Sequence, residues 1–191
     1  KRENITYNMC LVAVRNDGTA LQYVPEEYRT KEIYEEACKR SGMALSLIPQ
    51  KDITTTLCEY AVESFGSALQ YVPEEMKTPE LCKKAAIVSE GSAYRFIPEK
   101  YITPEFVVDV ARQSNRESVR CLPKSFKKSS FIYDLLRQDP ELIWYFPFSS
   151  LSAKAVKAAI TGMGYASTAD AVKALPELMS KLPYSLYDHD S

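Results

Sequence analysis

The sequence predicts an all-α fold: a solenoid of short helical pairs, right- or left-handed, closed by a C-terminal helical cap. Three recurrences carry this expectation. A proline returns as Pro25, Pro49, Pro73, Pro98, Pro123 and Pro147, at steps of 24, 24, 25, 25 and 24 residues, always behind an apolar residue (Val24, Ile48, Val72, Ile97, Leu122, Phe146). Glycine stands seven places upstream in four copies, as Gly18, Gly42, Gly66 and Gly91. Threonine stands five places downstream, as Thr30, Thr54, Thr78 and Thr103. Such a period means similar small units side by side, each unable to bury its apolar face alone, so that stacking supplies the core.

Each unit opens on a helix. In the stretch from Thr78 to Gly91, the Thr78 hydroxyl can accept a first-turn N–H. Pro79 suits the first helical position, where its missing N–H costs nothing, and Glu80 lies against the positive end of the helix dipole. Gly91 supplies a left-handed residue at the helix end. Thr103-Pro104-Glu105 repeats the opening, and Thr30-Lys31-Glu32 keeps the cap and the acid. Ile33, Leu57, Leu81, Phe106 and Phe131 align; four residues on come Ala37, Ala61, Ala85, Val110 and Leu135, on the same helical face. The small alanines allow close approach of a neighbour.

A second apolar block follows each glycine: Ala20-Leu21 with Tyr23-Val24, matched by Ala68-Leu69 with Tyr71-Val72. It is long enough for one or two helical turns before the proline. The residues after the proline begin another turn, anchored by Tyr28, Met76, Tyr101 or Phe126. The unit is thus a helix of about eleven residues, a tight glycine turn and a shorter helical return.

The pattern decays toward the C-terminus. Arg116 replaces the fifth glycine, and the sixth unit carries the bulkier Pro140, Trp144, Phe146 and Phe148. Six repeats therefore occupy residues 1–150. Ser152 can cap a helix through Ala153–Met163, closed by Gly162 or Gly164, and Ser167 or Thr168 can open a last helix that Pro176 ends. Residues 151–182 read as the cap, because terminal repeats of arrays are atypical, and residues 183–191 as a loosely held tail.

Composition narrows the function classes. With 46% hydrophobic and 26% charged residues, the chain has the balance of a folded protein. A net charge of −1 gives no global pull toward nucleic acid, and no apolar run reaches the length of a membrane span. The chain opens on Lys1 rather than methionine, which points to processing or a longer parent. Five cysteines, Cys10, Cys38, Cys58, Cys82 and Cys121, form no C-x-x-C pair; Cys10, Cys58 and Cys82 share one phase of the repeat, where a thiol acts as a small hydrophobe. They suit a reducing, cytoplasmic compartment. No metal site or cofactor is expected: the only histidine is His189, and phosphate-loop and dinucleotide fingerprints are missing.

The run Asp-Gly-Thr-Ala-Leu-Gln-Tyr-Val-Pro-Glu-Glu (Asp17–Glu27), followed by Thr-x-Glu and an Ala-rich helix, resembles a bacterial repeat family of unknown function, with copies reading roughly G-x-A-L-x-Y-x-x-E-E-L. The similarity covers about residues 7–148 and is best in the first four copies. It implies an all-α array of bacterial origin, and it raises a role within a secreted effector, translocated into a host cell. It brings no catalytic residues.

One electrostatic feature rises above background. Arg112, Arg116, Arg120, Lys124, Lys127 and Lys128 cluster in the fifth repeat, with Glu117 the only acid among them. Such a cluster can dock an acidic protein surface, an anionic lipid headgroup or a nucleic-acid backbone; nucleic acid ranks last, because aromatics are not interleaved as a stacking platform requires. Its bland counterpart is a solvated basic face. The favoured function is a protein–protein interaction module or scaffold, with the basic cluster and Trp144 as candidate partner-binding residues. Positions that vary between units, such as Tyr60, Lys84, Asp109 and Asp134, are those the architecture leaves available. The alternative is an enzyme or small-ligand receptor with a pocket between the sixth repeat and the cap. Trp144, Tyr145, Phe148 and Tyr165 would line it, with Asp134, Arg137 or Lys154 as polar groups.

Overall fold

The computed structural model describes residues 4–181 and is helical throughout, with no strand among the described residues. The tail expected at 183–191, with His189, lies outside the described residues. The chain forms two compact units, Lys1–Tyr101 and Ile102–Ser191. The first holds helices α1 (Tyr7–Asn16), α2 (Lys31–Arg40), α3 (Thr55–Ser64) and α4 (Pro79–Val88). The second holds α5 (Pro104–Gln113), α6 (Ser129–Gln138), α7 (Ala153–Gly162) and α8 (Thr168–Ala174).

Every expected cap forms. The hydroxyls of Thr30, Thr54, Thr78 and Thr103 accept the backbone N–H three residues on at 3.2–3.4 Å, and Thr6 does the same for α1 at 3.3 Å. Ser152 and Ser167 cap α7 and α8. Lys128 precedes α6 and gives no side-chain cap. Seven of these helices are ten residues long, so successive units start in the same phase.

The return is a 3₁₀ helix. Gly18–Tyr23, Gly42–Leu47 and Gly66–Tyr71 close through i→i+3 bonds, such as Ala20 N–H to Asp17 O at 2.9 Å and Val24 N–H to Leu21 O at 3.1 Å. Length explains the choice. Six residues rise about 12 Å as 3₁₀ helix and about 9 Å as α-helix, and they must run back along a ten-residue helix of about 15 Å. The three residues after each proline, as in Glu26–Tyr28, form a second short 3₁₀ turn.

The glycines do something other than the sequence suggests. Only Gly91 (φ 91°) and Gly164 (φ 91°) are left-handed. At Gly91 the backbone N–H reaches back to Ala86 O at 2.8 Å, behind Glu90 at φ 50°, so α4 closes with one extra residue. That residue accounts for the step of 25 between Gly66 and Gly91. Gly18, Gly42 and Gly66 are instead places of close approach: a Cβ there would lie 2.2, 2.2 and 2.4 Å from the carbonyl oxygens of Ala37, Ala61 and Ala85. The 3₁₀ segment of one unit rests on the backbone of the next helix, and those three alanines are fully buried.

Within the first unit α1 packs on α2, α2 on α3 and α3 on α4, and α2, α3 and α4 each also meet the 3₁₀ segment before them. Ile33, Leu57 and Leu81 fill the contacts. A polar rung at a spacing of 21 residues accompanies them. Arg15 Nε donates to Glu36 at 2.8 Å, Lys39 Nζ lies 4.6 Å from the centre of the Tyr60 ring, and Lys84 pairs with Glu63. Tyr60 and Lys84 are thus engaged between helices.

A superperiod of two units also appears. The residue before each cap threonine, or its equivalent, is Ile5, Arg29, Ile53, Lys77, Ile102, Lys127 and Leu151, alternately aliphatic and cationic. The cations are held by backbone carbonyls: Arg29 Nε by Val24 O at 3.0 Å, Lys77 Nζ by Phe96 O at 3.1 Å, Lys127 Nζ by Arg120 O at 2.9 Å. Lys77 is buried and also meets Glu74 at 2.5 Å, which gives its ammonium a counter-charge.

In the second unit α5 packs on α6 and α6 on α7. At the phase where glycine stood, Arg116 replaces backbone contact with ion pairs to Asp139 (3.5 Å), which precedes the next 3₁₀ segment, and to Glu141 (3.1 Å) within it. One unit later the small residue has changed sides. Pro140 occupies the glycine phase, and Gly162 of α7 makes room for it, since a Cβ there would lie 2.4 Å from Pro140 Cγ.

Candidate partner-binding site

The 3₁₀ segment Pro140–Tyr145 builds the principal candidate site. Leu142 and Ile143 turn into the core and are fully buried, as is Phe146 at its end, which leaves Trp144 and Tyr145 half-exposed on the outer side. The preceding 3₁₀ segment, Arg116–Cys121, packs beside it and brings Arg120. The Arg120 guanidinium lies 5.7 Å from the centre of the Tyr145 ring, and Lys127 Nζ is tied to Arg120 O. Together they enclose a cleft of about 340 Å³, floored by Val119 and Phe146 and walled by Arg120, Lys127, Trp144, Tyr145 and Pro147. Among the described residues, no carboxylate lines it.

The seven residues singled out in the sequence therefore divide. Arg120, Lys127 and Trp144 converge on the cleft. Arg112 and Arg116 do not: both reach the buried Asp139 carboxylate at 3.5 Å, and Arg112 also donates to Gln138 O at 2.9 Å. Their charge is spent on Asp139 and Glu141. Lys124 and Lys128 are exposed and line neither this cleft nor the two hollows below.

The residues expected to line a pocket at the cap are also redistributed. Trp144 and Tyr145 belong to the cleft above. Arg137 and Lys154 meet in an open groove of about 680 Å³ between α6 and α7, with Tyr133, Lys157 and Thr161. There Lys154 Nζ lies 4.4 Å and the Arg137 guanidinium 5.8 Å from the centre of the Tyr133 ring. Asp134 lines a third hollow of about 540 Å³ with Glu105, Arg137 and Gln138. Tyr165 lines none of these, and the Phe148 side chain lies outside the described residues. Nothing in the local sequence marks Tyr133, whose role comes from its place opposite α7.

The buried thiols of Cys38, Cys58 and Cys82 are poor candidates for chemistry. Cys10, Cys38, Cys58 and Cys82 are buried and Cys121 is exposed. Burial pushes Cys38 up to about 12, with a smaller contribution from neighbouring Cys58, and pushes Cys58 and Cys82 up to about 11. These thiols stay protonated, whereas nucleophiles and metal ligands need thiolate. Among the described residues, no three His, Cys, Asp or Glu side chains stand together as a metal would need, and no helix is long and apolar enough to cross a membrane.

Residues 7–53 match the family model of a domain of unknown function (DUF4116). The matched span runs from the start of α1 to Ile53, nearly two 24-residue steps, and so coincides with the two-unit superperiod. No curated protein and no solved structure matches the chain.

Proposed function

We propose that the chain is a protein-binding module: a solenoid of helical repeats closed by a C-terminal helical cap, in which the fifth and sixth repeats hold the Trp144 cleft as a docking site for an acidic segment of a partner protein. The solenoid arrangement is supported by the recurrence of one contact, glycine-led 3₁₀ segment on buried alanine, at Gly18, Gly42 and Gly66. The single observation that carries the function is the convergence of Arg120, Lys127 and Trp144 in a cleft without a carboxylate. Tryptophan and arginine are the residue types that dominate binding energy at protein interfaces, especially where an aromatic fills a partly dry hollow. Exposed cations around it raise the association rate with an acidic partner and make it salt-dependent. A bacterial origin and a place within a translocated effector, which the resemblance of the Asp17–Glu27 run implies, remain part of this proposal.

The test is affinity capture from the native cell, and from its host where one exists, using the parent chain and an Arg120→Glu variant, with captured proteins identified by mass spectrometry. An acidic protein retained by the parent and lost by the variant supports the proposal; equal retention by both overturns it.

A second reading rests on the α6–α7 groove, where Arg137, Lys154 and Lys157 gather without a carboxylate among the lining residues. It would make the cap a receptor for a small anion. Titration with inorganic pyrophosphate, followed by the resonances of Tyr133 and Thr161, decides it: shifts abolished by Lys154→Glu with Lys157→Glu support this reading, and unmoved resonances discard it.

A further inference from the structure

The face of α1 that points away from α2 carries a vacant copy of a contact that the first unit makes three times. Met9 has the phase of Ile33, Leu57 and Leu81, and Ala13 the phase of Ala37, Ala61 and Ala85. In α2, α3 and α4 those positions are covered by the preceding unit, leaving Ile33, Leu57 and Leu81 0%, 2% and 6% exposed and the alanines 0%. On α1 the same positions lie open: Met9 is 57% exposed, and Ala13 is exposed as well.

The neighbouring side chains fit the same surface. Val12 stands where Glu36, Tyr60 and Lys84 receive the polar rung from the helix before them, and it too is 57% exposed. Ile5 holds an aliphatic place in the two-unit alternation and is 36% exposed. Met9 and Val12, three residues apart, form one apolar stripe on α1, and Ile5 stands just ahead of the helix cap Thr6. An isolated exposed methionine needs no explanation, whereas a stripe in the register of three covered interfaces does.

The covering element in those interfaces has a stated chemistry. It is a glycine-led 3₁₀ segment whose glycine sits on the alanine carbonyl so closely that a Cβ would come within 2.2–2.4 Å of the oxygen. The equivalent carbonyl on α1 is that of Ala13, which already accepts the N–H of Asp17 at 2.9 Å, as Ala37 O accepts that of Ser41 and Ala61 O that of Phe65. The helix end is therefore prepared in the same way.

We infer that the α1 face is a docking surface for one further unit of the same kind, seated through a glycine-led 3₁₀ segment over Ala13 and an apolar helix over Met9 and Val12. This surface belongs to the first compact unit, and its occupation is independent of the Trp144 cleft. Val12, where the other units have polar rung positions, asks for an apolar residue in the occupant at the phase of Arg15, Lys39 and Glu63.

The experiment joins a copy of residues 31–52 directly ahead of Ile5 in the full chain, so that Ile5 and Thr6 take the parts of Ile53 and Thr54. In the grafted copy Glu36 and Lys39 keep their identity, and Lys39 is also changed to Val to meet Val12 in a second version. Oxidation of Met9 by peroxide is followed by mass spectrometry, in the parent and in both grafts. The grafts should slow Met9 oxidation by about tenfold or more, as expected for a side chain that reacts only on local opening. Gly42→Ala within the grafted copy should return the rate to that of the parent. Met9 oxidising at the parent rate in both grafts overturns the inference; protection that survives Gly42→Ala overturns the glycine-led occupant.

Discussion

The missing side chain of Gly42 is what lets it rest on Ala61: a Cβ at Gly42 would stand 2.2 Å from the Ala61 carbonyl oxygen and 2.9 Å from Phe65 Cβ. The obstacle is backbone, which cannot rotate out of the way. Gly42→Ala must push the 3₁₀ segment off α3, and overpacking of this kind costs about 1–3 kcal/mol. The urea midpoint should fall accordingly, while Met43→Ala, at a half-exposed neighbour, should leave it almost unchanged. A silent Gly42→Ala would mean that the segment is not seated there.

Ala85 sets a second limit from the helix side. It is fully buried against the Gly66 segment, so Ala85→Leu should lower the melting midpoint, with a cost again of about 1–3 kcal/mol. Lys84, one residue away, pairs with Glu63 in an exposed position, and such pairs contribute about 0–1 kcal/mol. Lys84→Ala should therefore change the midpoint little. Equal effects from the two substitutions would refute the assignment of helix faces.

Much of this architecture is legible before any coordinates. Threonine caps, the 24-residue phase and the buried alanines follow from the spacing of Thr30, Thr54 and Thr78 and of Ala37, Ala61 and Ala85. What the glycines do is not legible, because a left-handed residue and a close approach leave the same letter; only the extra residue before Gly91 marks that copy as different. The return as 3₁₀ helix is equally hidden, since apolar residues at Leu21 and Val24 fit either helix. The basic cluster illustrates the harder case. Its six cations look alike in sequence, yet Asp139, more than twenty residues beyond Arg112 and Arg116, decides that these two serve the core. The pairing is tertiary, and no local pattern announces it.

Asp139 yields a prediction of its own. Its carboxylate is buried and balanced by Arg112 and Arg116. Arg116→Glu would set two carboxylates against it, the one introduced by the substitution and that of Glu141 nearby, and should lower the stability of the second unit. Lys124→Glu, at an exposed site, should not. Urea unfolding of the two variants checks this. The same difference makes Arg120, and not Arg116, the residue to reverse when binding is tested.

Acid should weaken the first unit by a traceable route. The hydrogen bond from Arg15 holds the Glu36 carboxyl below the usual carboxylate range, with help from Lys39. A depressed folded value means that the stabilisation is present above the unfolded carboxylate value and disappears as pH falls through the folded one. Unfolding measured from neutral pH down to pH about 3 should show a shallower loss for Glu36→Gln than for the parent. An identical acid dependence would show that this pair contributes nothing.

Thiol chemistry separates buried from exposed positions. Of the five cysteines, Cys121 alone is exposed, so a thiol-specific reagent should modify Cys121 first and reach Cys10, Cys38, Cys58 and Cys82 only as the chain opens. Peptide mapping after brief labelling reads the order directly. Early modification of Cys58 would contradict the burial of α3 on α2.

The central claim, that the Trp144 cleft receives an acidic partner, is tested most directly by the emission of Trp144 itself, the only tryptophan in the chain. Purified partner from the capture experiment is titrated into the protein at low and at physiological salt. Saturable change in Trp144 emission is expected, weaker at the higher salt and largely lost in Arg120→Glu, whose far-UV spectrum stays that of the parent. Binding that leaves Trp144 emission unchanged, or that ignores both salt and Arg120→Glu, would contradict the account.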